Sequence, residues 1–174
     1  MASKQHPQSA RHPQVISLLR EDHREVERLF ERYWQAHQES EKDELAAQLS
    51  KALSAHTRLE EEIFYPEVAL AIDEPLLVDE ARVEHKLAKM LLAEIEAGEP
   101  RDPHVQVLCE VVNHHIREEE NELFPKVEAA PIDFDELYRR MLQRKEELML
   151  SLDLLPLRPD QDAGKRAHGR RHQA

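Results

Sequence analysis

Apolar residues recur at intervals of three and four along most of the chain, a spacing that places them on one face of an α-helix. The first such series is Ile16, Leu19, Val26, Phe30 and Tyr33. Because the preceding Pro13 suits a first helical turn, the series predicts a helix over about residues 13–38.

Three further segments have the same pattern and predict three more helices. These segments are residues 42–71, 73–97 and about 102–125. Pro66 and Pro125 lie near the ends of the second and fourth helices, where the missing N–H group should kink or interrupt the last turns. Gly98 is expected to end the third helix.

A shorter amphipathic segment, residues 133–152, predicts a fifth helix that packs on the outside of the bundle or against another subunit. The chain has only 3 Gly, too few for the tight hairpins of sheet proteins. The predicted fold class is therefore all-α, an antiparallel up-down four-helix bundle with a short additional C-terminal helix. The domain spans residues 13–152, between a disordered tail at 1–12 and a disordered basic tail at 153–174.

Two stretches of the chain repeat in register. HTRLEEEIFYP (56–66) and HIREEENELFP (115–125) both contain His, three residues, Glu-Glu, and later an apolar residue, an aromatic residue and Pro. Each stretch is preceded by a helix that bears an acidic–His pair, Asp22–His23 or Glu84–His85. The repeat predicts two similar helical hairpins that form one bundle with pseudo-twofold symmetry.

Each of the four apolar stripes is interrupted by a histidine, and two stripes carry a glutamate one turn later. These residues are His23, His56, Glu60, His85, His115 and Glu119. Burying two carboxylates without partners would be very costly, and a pair of metal ions removes that cost. Two bridging carboxylates with two imidazoles per metal form a ligand set that suits iron or manganese, with zinc a poorer match.

His114 is an alternative ligand, since His114 and Glu118 also have the i,i+4 spacing. The stripe of His115 continues to Leu123, whereas that of His114 continues to polar residues. The register of the repeat also favours His115. In the two Glu-rich runs, 60–62 and 118–120, the glutamates other than Glu60 and Glu119 are interpreted as solvated side chains.

The charge distribution limits the classes of partner. The net charge is -12, and the ends carry +3 (158–174) and +2 (1–14), so residues 15–157 are near -17. Such an acidic body argues against binding to nucleic acid. No apolar run reaches the ~18 residues needed to span a membrane, and the N-terminus lacks the apolar region of a signal peptide. With a single cysteine, Cys109, a cytoplasmic protein is expected.

The spacing of the four inward histidines and two inward glutamates resembles that of the hemerythrin-like, or HHE cation-binding, family, and the resemblance covers roughly residues 12–128. The resemblance implies a bundle around two Fe ions, cycling between Fe2+ and Fe3+, with a bridging oxo or hydroxo group. Mn or Zn are expected substitutes. The implied ligand pairs are His23 with His56 and His85 with His115, and the implied bridging ligands are Glu60 and Glu119.

The chain departs from oxygen-carrying hemerythrins, which have two histidines one turn apart on the third helix. Here Lys89 follows His85 by one turn, so one iron lacks its fifth imidazole. The last helix has His and Glu four apart, where those proteins have His and Asp five apart. The open position would admit peroxide or water. A tyrosine oxygen, that of Tyr33 or Tyr65, is a further candidate, but ordinary core packing is the favoured interpretation of both tyrosines.

The resemblance implies a non-haem di-iron protein that binds or reacts with O2, peroxide or NO, with catalase- or peroxidase-like activity as one outcome. The alternatives are an iron- or oxygen-sensing protein without turnover, and metal storage or detoxification. A monomer or a homodimer is expected, with no nucleic-acid or membrane partner.

Overall fold

The computed structural model describes residues 12–98 and 101–153, and within these ranges the chain is helical with no strands. The predicted all-α fold class is confirmed. The α-helices are α1 His12–Gln35, α2 Glu39–Leu59, α3 Tyr65–Ala71, α4 Pro75–Ala97, α5 Arg101–Glu118, α6 Phe124–Ala129 and α7 Phe134–Asp153. The tails predicted to be disordered lie outside the described residues, apart from the first residue of α1 and the last of α7.

Two π-helical turns join α2 to α3 and α5 to α6 into continuous helices. The first π-turn is Glu60–Phe64 and the second is Glu119–Leu123. The N–H groups of Tyr65 and Phe124 donate to the carbonyls five residues earlier, one residue further back than in an α-helix. The predicted interruption near Pro66 and Pro125 therefore takes the form of a widened turn. Each proline is the second residue of a new α-helix, where the N–H group that it lacks is not needed for helical bonding.

The apolar core consists of two clusters at opposite ends of the bundle. One contains Leu19, Phe64, Tyr65 and Phe124, and the other contains Val26, Leu53, Leu92 and Val112. On each of the four long helices a histidine separates the two ends of its stripe. A polar layer therefore divides the bundle into two apolar halves.

Helix α7 packs along α1 and α2 of the same chain. Leu137, Met141 and Leu148 are almost completely buried there. At the margin Lys145 forms an ion pair with Asp22, and Arg144 lies 2.7 Å from the carboxylate of Glu62. The predicted fifth helix thus covers the outside of the first hairpin.

Helix α4 ends where the sequence predicts. Gly98 has φ +96° and its N–H group donates to the carbonyl of Ile95, which is a left-handed helix terminus that favours glycine. In the described part of the chain, no helix combines the length and apolar character needed to cross a membrane.

Candidate metal centre

The six residues singled out by the stripes lie in one buried layer. All are at most 5% exposed: His23, His56, Glu60, His85, His115 and Glu119. Five of them each offer a ligand atom within 4.8 Å of the others. The sixth, His85, has its Nε2 atom 3.2 Å from Glu60 Oε2 and 3.2 Å from His115 Nε2.

The Nε2 atoms of the histidines face the two central glutamates. His23 Nε2 is 3.2 Å from Glu119 Oε2, and His56 Nε2 is 3.1 Å from Glu60 Oε2. His115 Nε2 lies farther away, 3.8 Å from Glu119 Oε2. Glu60 therefore lies against histidines of α2 and α4, and Glu119 lies against histidines of α1 and α5.

A ring of outer carboxylates faces the Nδ1 atoms of the same histidines. The pairs are Glu120 with His23 (2.9 Å), Glu84 with His115 (3.0 Å), Glu61 with His85 (3.2 Å) and Asp22 with His56 (3.8 Å). The first three pairs form hydrogen bonds, whereas the 3.8 Å between Asp22 and His56 is too long for one. Because a carboxylate only accepts, these three imidazoles carry the proton on Nδ1 and donate it outward.

Three of the outer carboxylates are in turn paired with a cationic side chain. Lys145 contacts Asp22, Lys89 Nζ lies 2.6 Å from Glu61, and Arg20 lies 3.5 Å from Glu120. Glu84 instead faces an imidazole, that of His114, at 3.3 Å. These outer pairs fix the orientation of the carboxylates, which in turn orient the histidine rings.

The inward side of the layer consists mainly of electron-pair donors. An imidazole that donates from Nδ1 offers a lone pair at Nε2, and the nearest atoms are carboxylate oxygens and other Nε2 atoms. Glu60 Oε1, Glu119 Oε2 and the Nε2 atoms of His23 and His56 are buried without a hydrogen-bond partner of good geometry. Cations in the layer would satisfy all of these atoms at once, so the donor set fits a metal pair.

The pKa values reflect how unfavourable the layer is for bare charge. Burial and the neighbouring Glu119 carboxylate raise the pKa of Glu60 well above its usual range. Burial opposes a charge on His23, but the Glu119 and Glu60 carboxylates outweigh it and raise its pKa to about 9. Burial lowers the pKa of His56 to about 4. Without a cation, a proton on His23 therefore offsets the charge of Glu119, and a metal ion would take the place of that proton and free the Nε2 lone pair.

The structure separates the two candidate tyrosines. The buried Tyr65 hydroxyl lies 3.1 Å from Glu119 Oε1, 3.4 Å from Glu60 Oε2 and 3.3 Å from His85 Nε2. Burial raises the pKa of this phenol well above its usual range. Tyr33 lies away from the layer and donates to Asp102 at 2.6 Å. Only Tyr65 is within reach of the six central residues.

His114 lies outside the layer. Its side chain is 55% exposed, and its Nε2 atom lies between Glu84 and Glu118. The register chosen from the repeat, which prefers His115, agrees with this placement.

Two of the outer carboxylates, Glu61 and Glu120, were missed from the sequence, because they were interpreted as solvated members of the two Glu-rich runs. A signal was present, since the acidic–His pairs Asp22–His23 and Glu84–His85 recur in both hairpins. In each pair the acidic residue faces the histidine of the next helix along the chain.

On the side away from Tyr65, an apolar pocket lies against all four histidines. Its other walls include Val26, Leu53, Ala88, Val112 and Ile116. The pocket has the size and polarity for a small uncharged molecule next to the polar layer.

A helical bundle with a buried His/Glu layer defines a metal-binding class of protein, and comparison with known proteins agrees. Residues 14–127 match the model of the hemerythrin HHE cation binding domain, and the chain belongs to this family. Family and cluster together indicate metal-ion binding.

A protein from Nostoc sp. (strain PCC 7120), named DNA nickase, is 33% identical over 117 residues. The match covers 65% of this chain and 33% of the relative, so the chain spans about a third of that relative's length. No solved structure matches the chain.

Proposed function

We propose that the buried layer binds two iron ions and that the protein binds or reduces a small oxygen species, dioxygen or hydrogen peroxide. The observation that carries this proposal is the inward cluster of imidazole nitrogens and carboxylate oxygens with unpartnered lone pairs. Bound iron would supply the redox electrons for that chemistry. The residues of the chain hold the ions, orient the ligands and exclude water.

The ring positions favour two histidines per metal. The ring centroids of His23 and His56 are 4.9 Å apart, and those of His85 and His115 are 4.6 Å apart. Centroids of the other pairs whose rings are in contact lie 6.3 to 6.4 Å apart. We therefore assign one metal to each close pair. Glu60 and Glu119, which lie between the pairs, would be shared by the two ions.

Tyr65 is the side chain best placed to compensate for the missing fifth imidazole. Its hydroxyl lies next to His85, while Lys89, one turn beyond, is turned outward to Glu61. The phenol can serve as a ligand or as a proton donor to a bound molecule. Tyr65 is thus the acid–base group nearest to the proposed metal positions.

The apolar pocket supports a small, weakly polar substrate. Dioxygen and nitric oxide are uncharged, and apolar walls admit them while disfavouring ions. The pocket touches the ring of every histidine of the layer, so a molecule within it is next to both metal positions.

The test is metal content with an absorption spectrum of the purified protein. We expect two iron ions per chain and the absorption of a bridged di-ferric centre. Peroxide should be consumed by the iron-loaded protein, with oxygen release if the activity is catalase-like. A protein that retains only zinc after expression in iron-rich medium, or iron-loaded protein that leaves both dioxygen and peroxide unchanged, would refute the proposal. Manganese or zinc can occupy the same N/O donor set without the redox chemistry.

We also propose that the domain has no nucleic-acid partner. The Nostoc relative is named a DNA nickase, but the match covers only a third of it. The charge of about -17 over residues 15–157 disfavours approach to phosphates. Supercoiled plasmid incubated with the iron-loaded protein and a chelator-treated control should remain intact.

Sensing without turnover is a second candidate, supported by one contact chain. His56 faces Asp22, and Asp22 pairs with Lys145 of α7. A change in the charge of the layer would therefore reach the C-terminal helix. Iron loading should then protect α7 from proteolysis, and identical cleavage of apo and loaded protein beyond residue 130 would argue against this role.

Metal storage ranks lower as a function, because a single layer holds few ions.

A further inference from the structure

A second cluster of metal-ligating side chains lies at the surface beside the central layer. His114 Nε2 is 3.3 Å from Glu84 Oε1 and 3.1 Å from Glu118 Oε1. The ligand atoms of the three side chains all lie within 4.8 Å of one another. His114 and Glu118 are one turn apart on α5, and Glu84 comes from α4. Two neighbouring helices thus present one nitrogen and two oxygens to a single point.

This corner differs from the other three corners of the outer ring. Asp22, Glu61 and Glu120 are each paired with a lysine or arginine, whose positive charge is fixed. Within the part of the chain that the structure describes, the ion pairs of Glu84 and Glu118 are all with histidines. Unlike a lysine or an arginine, an imidazole can donate a nitrogen lone pair to a metal ion. The corner therefore combines a nitrogen ligand with two carboxylates that pair with imidazoles.

A small pocket connects the surface cluster with the central layer. Glu84 and Glu118 line it on the outer side, and His115 and Glu119 line it on the inner side. Glu119 is 2% exposed, and its Oε2 atom has no hydrogen-bond partner of good geometry. A buried glutamate with an unsatisfied oxygen therefore lines the same pocket as two residues of the surface cluster, Glu84 and Glu118.

We propose that Glu84, His114 and Glu118 form a second metal site, which captures one divalent transition-metal ion and delivers it to the central layer. Nitrogen and carboxylate ligands suit Fe2+, Mn2+ and Zn2+. Three protein ligands leave positions for water, and the exposed side chains of His114 and Glu118 open the site to ions from solution. Glu84 touches both His114 and His115, and it is therefore the shared residue through which the ion passes. The delivery step rests on the proposed function of the central layer, whereas capture at the surface does not.

Capture is tested by adding Zn2+ to iron-loaded protein and measuring binding by calorimetry. Wild-type protein should bind one Zn2+, and His114→Ala should weaken this binding at least about tenfold because one of three ligands is lost. Glu118→Gln should have the same effect. His104→Ala is the matched control, since His104 also lies on α5 and faces a carboxylate of α4, that of Glu94, at 3.2 Å. Equal Zn2+ binding by His114→Ala and wild type would overturn the site and leave His114 in a simple ion pair.

Delivery is tested by the rate of Fe2+ uptake into apo protein without oxygen, followed by iron analysis at successive times. His114→Ala should load several-fold more slowly than wild type or His104→Ala, and it should reach the same final iron content. Equal loading rates would overturn delivery. If wild type takes up no iron in the central layer but still binds Zn2+ through His114, the proposed function fails while the surface site stands. If all variants load two iron ions and none binds Zn2+, the surface site fails and the proposed function stands.

Discussion

Tyr65 and Phe124 occupy equivalent positions in the two helical hairpins and pack against different histidines of the polar layer, Tyr65 against His85 and Phe124 against His23. Each follows a π-turn and precedes a proline. The Tyr65 ring lies 5.4 Å from the ring of His85, and the Phe124 ring is parallel to that of His23 at 5.9 Å. One hydroxyl group therefore distinguishes the two sides. The two proposed metal positions would consequently differ in their surroundings although their protein ligands would be the same in kind.

Tyr65→Phe should remove this difference while leaving the fold intact. The hydroxyl is the only group lost, and the variant has the aromatic residue that the other half already uses. We expect retention of both metal ions, an altered visible spectrum of the ferric protein and a changed rate of peroxide consumption. Absorption spectroscopy and an oxygen electrode measure these changes.

Tyr33→Phe is the control for this prediction. Tyr33 is also buried, but its hydroxyl bonds to Asp102 away from the layer. Its loss should cost about 1 kcal/mol of unfolding free energy, as for an ordinary hydrogen bond, and should not alter the spectrum. Identical spectra for wild type and Tyr65→Phe would mean that the phenol plays no part at the metal.

Glu60→Ala should abolish retention of the metal pair without unfolding the bundle. Glu60 is fully buried, and burial together with the Glu119 carboxylate raises its pKa well above the usual range. Removing it deletes a bridging ligand and also the cost of burying a carboxylate. Metal analysis and thermal melting followed by circular dichroism are the measurements. A half-buried glutamate of α3, Glu67, pairs with Arg140 of α7 outside the layer and gives the control Glu67→Ala, which should keep the metal.

Glu61→Ala should weaken metal binding by roughly 10- to 100-fold, because Glu61 holds the ring of His85 by accepting from Nδ1. Glu62→Ala is the neighbouring control, since Glu62 pairs with Arg58 and Arg144 at the surface. Competition with a chelator of known affinity measures the difference. Equal metal affinities for the two variants would show that ring orientation by Glu61 is unimportant.

Much of this site follows from spacing alone. The stripes identified the inward histidines and glutamates, and the repeat ending at Pro66 and Pro125 distinguished His115 from His114. The partners of the Nδ1 atoms did not follow, because Glu61 and Glu120 look like solvated members of acidic runs until the opposite helix is positioned. The sequence also offered no reason to prefer Tyr65 over Tyr33 as a neighbour of the metal site, and only their positions in the fold show that Tyr65 lies at the layer.

Gly98→Ala should lower the unfolding free energy by about 1 kcal/mol and leave the metal site unchanged. At φ +96° an L-residue is strained, although a Cβ atom there would meet nothing within 4 Å. The loss would therefore arise from the backbone alone. Chemical denaturation measures it, and metal content of the variant should equal that of wild type.

The π-turns make the geometry of the centre depend on residue number as well as residue type. Each turn holds one residue more than an α-helical turn, so the residues after it keep the phase that they would have without the extra residue. Deleting one residue of the turn, for example Glu62, would therefore allow ordinary α-helical bonding and leave Tyr65 and Val68 on the interior face. Inserting one residue would instead rotate every following side chain by about 100° and turn Tyr65 and Val68 away from the interior, so insertions here should be far more damaging than deletions.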